Sequence, residues 1–293
     1  MISQQQKKDF AAALRAGEMQ IAPGCYDAMS AMMAVKGGAQ AVMTSGFAVS
    51  ASHLGFPDVE LYTMTENLNV VRNIANAVDV PVVADTDTGY GNAMNVMRTV
   101  REFEQAGVCA MIFEDQVAPK RCAAAANQLE IISAYEHAGK IRAAVQARRD
   151  PDTLIIARTD AMTQDEAIDR AKMYAEAGAD LIQPISRTFT DFDGLKRMRA
   201  AVGVPLSLQI LGWLEKDLTQ AQMAEVAGVA CYPLVGLMTA AQAMQDNYAK
   251  LLSDKGTARL PHPVMSMADF KTFIGFQEIE EQQVEFMLAD LNS

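Results

Sequence analysis

Along the chain, short β-rich apolar runs recur, each followed by a polar or glycine-containing turn and a longer stretch of helical periodicity. The runs are MQIAPG, AVMTSG, PVVADTDTG, AMIFEDQ, LIIARTD, DLIQPIS, PLSLQI and ACYPLVG. Several follow a helix that ends in an Ala-Gly pair, as in EFEQAGVCAMIF, MYAEAGADLIQP and MAEVAGVACYPL, where Gly107, Gly178 and Gly228 are expected to take the left-handed capping conformation. Eight strand–helix units over about 230 residues predict a parallel sheet closed into a (β/α)8 barrel, close to that fold's usual size of about 250 residues. A doubly wound open sheet is the competing arrangement, but no Gly-x-Gly-x-x-Gly turn follows the first strand. The barrel is expected over residues 1–250. Beyond it a Pro-flanked linker, ARLPHPVMS, leads to the amphipathic ADFKTFIGFQEIEEQQVEFMLADL, so residues 251–293 are expected to form a helical extension packed on a neighbouring subunit.

Half of the 293 residues are apolar, enough for a large core. The balance of 36 acidic to 25 basic residues gives a net charge of −11 with no basic cluster, which argues against nucleic acid as a partner. No apolar run reaches the roughly 20 residues of a membrane helix, and MISQQQKKDF carries no apolar signal segment. Cys25, Cys109, Cys122 and Cys231 show no zinc spacing, and free thiols in a reducing cytoplasm are expected.

In a barrel of this kind, chemistry sits at the C-terminal ends of the strands. Those ends carry Thr44, Ser45 and Gly46; Asp85, Asp87 and Gly89; Glu114, Asp115 and Gln116; and Arg158, Thr159 and Asp160. Asp85 and Asp87 stand two apart on one expected extended strand, so both side chains point to the same face and converge with Glu114 of the next strand. Three carboxylates sharing so small a space call for a divalent cation, Mg²⁺ best and Mn²⁺ as the substitute. A lone acid in such a place is more often a cap or a surface partner, and Asp160, just before a helix, is expected to be such a cap.

ADTDTGYGN, IFEDQVAPKRC, IIARTDA, APGCYDAMSA and TSG, at these distances, resemble the isocitrate lyase and phosphoenolpyruvate mutase superfamily, in particular its short, methylisocitrate lyase-like members. The likeness runs from about residue 10 to residue 250. It implies a Mg²⁺-dependent barrel enzyme for a small carboxylate, cleaving or forming a bond next to an enolate of pyruvate or a related 2-oxo acid. By the same resemblance Asp87 holds the metal directly and Asp85 and Glu114 hold it through water. Ser45 and Gly46 bind the substrate carboxylate through backbone N–H groups, Arg158 neutralises a substrate oxygen, and Asp58 is a further acid of the site. The resemblance also implies a homotetramer built from dimers that exchange a C-terminal helix.

The lid motif of the lyases, Lys-Arg/Lys-Cys-Gly-His, is matched by Lys120, Arg121 and Cys122, but Ala123 and Ala124 replace the glycine and histidine. Two adjacent cations favour the Cys122 thiolate, making it the expected acid or base with Lys120 beside it. The other reading of this segment is an inert helix start, since AAAANQLEII has high helix propensity. The family's strand-six glutamate is replaced by Ile185, and its Asn-x-Thr-Glu at strand seven reads Gln209, Leu211 and Gly212 here. An apolar side chain cannot bind the second carboxylate of a tricarboxylate. Gln183, Gln209 and Arg187 either replace those contacts for a smaller substrate or are ordinary strand-end polar groups. The leading expectation is a carbon–carbon lyase for a substituted malate. The alternatives are an oxaloacetate decarboxylase, a phosphonate mutase or hydrolase, and a non-catalytic carboxylate-binding barrel.

Overall fold

The computed structural model describes residues 2–121 and 129–287. Eight parallel strands close into a barrel in sequence order: β1 (Gln20–Cys25), β2 (Val42–Thr44), β3 (Val82–Asp85), β4 (Ala110–Glu114), β5 (Leu154–Thr159), β6 (Leu181–Pro184), β7 (Leu206–Gln209) and β8 (Ala227–Tyr232). Each falls within or against one of the apolar runs, and β8 begins at Ala227, ahead of its run.

The intervening helices start at side-chain caps that satisfy otherwise unpaired N–H groups, such as Thr63 accepting from Glu66 N and Thr163 accepting from Glu166 N. Gly107 and Gly178 have φ of +94° and +100°, the left-handed conformation expected of them. Gly228 does not. It lies inside β8, where a Cβ would stand 2.5 Å from the Leu14 carbonyl oxygen, so that glycine permits close packing of the first helix and caps nothing.

The period-two alternation of the strands sorts their side chains into two layers. Val83, Ile112, Ile156 and Leu181 fill the barrel interior, which Phe10 and Leu14 of the helix Gln4–Ala16 close from below. Ala84, Met111, Phe113, Ile155, Ala157 and Ile182 face the helical ring in the larger core. Two residues beyond each interior residue come Asp85, Glu114, Arg158 and Gln183, so the alternation that packs the core also carries these polar groups inward at the barrel mouth.

Residues Met1–Met238 form one compact unit and Thr239–Ser293 a second. The second holds most of the helix Val235–Asp254 and the helices Met267–Phe273 and Phe276–Met287. Within it the Asn247 side chain bonds both backbone groups of His262, and His262 Nε2 lies 2.9 Å from Asp246 Oδ2. No helix among the described residues is long and apolar enough to cross a membrane.

Candidate active site

A cavity of about 360 Å³ opens at the C-terminal ends of the strands. Its floor is a cluster of buried charges. Asp85 ends β3, with its backbone N–H bound to Thr44 Oγ1 (3.0 Å) and its Oδ2 accepting from Gly46 N (2.9 Å). The chain then turns: Asp87 takes φ +51° and its N–H donates to Asp85 Oδ1 (3.1 Å). The two acids therefore do not share one extended strand. They converge because a tight turn, closed by Gly89 at φ +84°, folds the second back on the first.

Tyr62 and Tyr90 both donate to Asp87 Oδ2, at 2.7 and 3.2 Å. The other oxygen, Oδ1, lies 2.5 Å from the Lys120 ammonium. That ammonium also reaches Glu114 Oε1 at 3.0 Å and Asp58 Oδ1 at 3.3 Å. Glu114 Oε2 faces the Arg158 guanidinium at 2.8 Å, and Arg158 bonds Asp160 Oδ1 through Nη2 (3.0 Å) and Nε (3.1 Å). Burial, with Asp87 adding to it, raises the Asp85 carboxyl to about 6. Burial likewise pushes Glu114 up to about 8, against the pull of Arg158 and Lys120. For Lys120, burial disfavours the charge, but Asp87, Glu114 and Asp58 outweigh it and hold the ammonium well above its ordinary range.

Several expected residues have other partners here. Asp160 is not a helix cap; Thr163 caps the helix Gln164–Glu176, while Asp160 is fully buried and takes bonds from Arg158 and from Gln116 Nε2 (2.7 Å). The N–H groups of Ser45 and Gly46, expected to face a substrate carboxylate, bond Cys25 O (3.1 Å) and Asp85 Oδ2 instead, and Ser45 Oγ caps the helix Gly46–Leu54. Thr44 acts on Asp85 and not on the cavity. Gln183 is buried with Oε1 on Ser207 Oγ (2.7 Å), whereas Gln209, Arg158, Asp58 and Lys120 line the cavity. Cys122, the expected proton donor, lies outside the described residues.

Sequence reading missed Tyr62, Glu60 and Asn67. Glu60 takes φ +53° and bridges Thr88 Oγ1 (2.6 Å) and Lys120 N (3.0 Å); Asn67 bonds the Asp85 carbonyl (2.9 Å) and Tyr90 Oη (2.7 Å). Tyr62 and Glu60 sit in an irregular loop and Asn67 on a helix, where no periodicity marks them.

The donor set suits a hard divalent cation. Carboxylate oxygens of Asp87, Glu114 and Asp58 already surround one cationic group, the Lys120 ammonium. Among the described residues no three such side chains are spaced to hold a metal as they stand, and the Lys120 ammonium stands among Asp58, Asp87 and Glu114.

A closed eight-stranded barrel with buried acids, a lysine and an arginine converging at its mouth is the framework of a (β/α)8 enzyme. The model of the phosphoenolpyruvate phosphomutase family matches residues 10–252. A 2,3-dimethylmalate lyase of Eubacterium barkeri is 41% identical over 269 residues, 90% of this chain and 92% of that protein. A 2-methylisocitrate lyase of Shewanella oneidensis is 33% identical, over 91% of this chain and 92% of its own length. A phosphonopyruvate hydrolase solved with oxalate and Mg²⁺ superposes with a TM-score of 0.86 at 30% identity, covering 98% of this chain and 100% of that one. The chain belongs to the phosphoenolpyruvate mutase and isocitrate lyase superfamily. It is an enzyme, and among the superfamily's activities it falls with the carbon–carbon lyases.

Proposed function

We propose that the protein cleaves the C2–C3 bond of an alkyl-substituted malate, with a divalent cation held by Asp85, Asp87 and Glu114. The observation that carries this reading is the composition of the cavity: Asp58, Asp85, Lys120 and Arg158 line it together with the apolar Phe47, Val59, Ile185, Leu211 and Leu234, and Gln209 and Arg187 also reach it. A 2-hydroxy acid is anchored beside the charged groups of the cavity, where Arg158 offers donors. Its substituents meet apolar side chains, which suit methyl or ethyl groups. The likeness to a dimethylmalate lyase and to a Mg²⁺-bound hydrolase supports both halves of the reading.

In the bond balance, the C2 hydroxyl loses its proton and C2 becomes the ketone of a 2-oxo acid. The electron pair of the C2–C3 bond passes to C3, where the attached carboxylate delocalises it, and a proton then completes the saturated acid. The electron-rich fragment is therefore the one derived from C3, and the 2-oxo acid is the carbonyl product; this corrects the expected enolate of the 2-oxo acid. A bound divalent cation supplies positive charge for substrate oxygens as that electron density develops. Arg158, fixed by Asp160 and Glu114, presents a second immobile positive charge to the same region. Cys122 is the proposed proton donor on the strength of its two cationic neighbours.

The exposed apolar side chains of Phe276, Ile279, Val284 and Phe286 support the further proposal that residues 251–293 pack on a neighbouring subunit in a homotetramer. Light scattering of the purified protein tests it; a monomer would reject it. For the activity, NMR of reactions with Mg²⁺ and with EDTA compares dimethylmalate, citramalate, malate, methylisocitrate, isocitrate, oxaloacetate and phosphonopyruvate. Metal-dependent release of a 2-oxo acid from the alkyl malates is expected, with kcat/KM above that for the tricarboxylates. Preference for a tricarboxylate would reject the reading, and pyruvate from oxaloacetate alone would replace it with decarboxylation.

A further inference from the structure

We propose that Lys120 is an internal competitor for the divalent cation: its ammonium and the metal occupy the same carboxylate pocket alternately, and metal binding expels Lys120 from it. The inference rests on the divalent site proposed above. Lys120 Nζ lies 2.5 Å from Asp87 Oδ1, 3.0 Å from Glu114 Oε1 and 3.3 Å from Asp58 Oδ1, and its side chain is 4% exposed. These acids come from three separate segments, and an ammonium at their common centre neutralises them as a metal would. A divalent ion between Asp87 and Glu114 would stand within a few ångströms of that ammonium in a water-poor pocket, and like charges at that separation repel strongly. The pocket holds one or the other.

The segment around Lys120 is tethered in a way that couples this exchange to the backbone. Glu60 accepts from Lys120 N through Oε2 (3.0 Å) and from Thr88 Oγ1 through Oε1 (2.6 Å), joining the Lys120 segment to the turn that carries Asp87. It does so from a left-handed conformation, φ +53°, uncommon for a residue with a Cβ and retained where contacts impose it. Glu60 is thus a positioning residue that presents the Lys120 ammonium to the pocket. An expelled ammonium cannot stay buried without its carboxylates, so it moves to water and pulls on the Lys120 N–Glu60 bond.

Manganese titration followed by electron paramagnetic resonance tests the exchange on the full chain. Lys120→Met is expected to tighten Mn²⁺ binding by about tenfold or more, and Glu60→Gln, which loosens the tether, by about threefold. Hydrogen exchange of the wild-type protein provides a second readout that needs no variant to fold. Adding Mg²⁺ is expected to accelerate exchange of the Lys120 amide, the opposite of the protection a ligand ordinarily confers. Wild-type binding of Mn²⁺ with unchanged or weaker binding in Lys120→Met, or slower exchange at Lys120 with Mg²⁺, overturns the proposal alone. No Mn²⁺ binding by the wild type or by Lys120→Met overturns the metal site and this inference together.

Discussion

His137, on the helix Ala134–Ala147 behind the barrel, is the place where the structure makes a stability prediction with an unambiguous sign. The imidazole is fully buried and its ring meets Tyr174 edge-on at 4.6 Å. Burial, reinforced by the charges of Lys140 and Arg170, lowers its pKa from 6.5 to about 3, and the Phe113 backbone opposes this only weakly. Between those values the unfolded chain binds a proton that the folded protein refuses, so stability falls as the pH drops through 6.5 towards 3. At ~1.36 kcal/mol per pH unit the full loss is about 5 kcal/mol, of which about 2 kcal/mol has accrued by pH 5. Replacing His137 with Phe removes the titrating group while keeping a ring against Tyr174. Urea denaturation of both proteins at pH 7.5 and pH 5 is the assay. The wild type should lose about 2 kcal/mol more than His137→Phe between the two conditions, on top of any pH-independent change from packing. Equal losses would mean that the folded protein accommodates a charged His137, and the argument from burial would fail.

Arg158→Met should destabilise the protein by about 3–5 kcal/mol in the same denaturation assay, because it leaves the buried carboxylates of Glu114 and Asp160 without their shared cation; a loss below about 1 kcal/mol would show that neither acid depends on it. Gly46→Ala places a Cβ 2.8 Å from Tyr62 Oη and 2.9 Å from Asp85 Oδ2, so at least one must move from its partner. Mn²⁺ affinity should then fall roughly tenfold or more, and wild-type affinity would show that Asp85 and Tyr62 do not preorganise the site.

The barrel was legible in the sequence because its two periodicities are local. A strand facing a core on both sides must be apolar throughout, and a helix covering it must repeat near 3.6 residues, so the eight units could be counted from the pattern of residues along the chain. The positions of Asp85, Glu114 and Arg158 followed from the same alternation, since each stands two residues beyond a barrel-interior side chain. What sequence could not supply were contacts between segments far apart in the chain. Asp160 looks like a cap when only the next helix is considered, and its partner Gln116 is brought beside it by the pairing of β4 and β5. Gly228 looks like the other Ala-Gly pairs until the first helix packs against it. Tyr62, Glu60 and Lys120 meet the Asp87 turn only once the barrel closes, bringing together groups up to about 60 positions apart in sequence. Period and residue type thus determined which acids reach the mouth, because both act through neighbouring backbone geometry. Which cation those acids hold, and which hydroxyls orient them, was decided by tertiary structure, because charge pairing acts across space and is indifferent to separation along the chain.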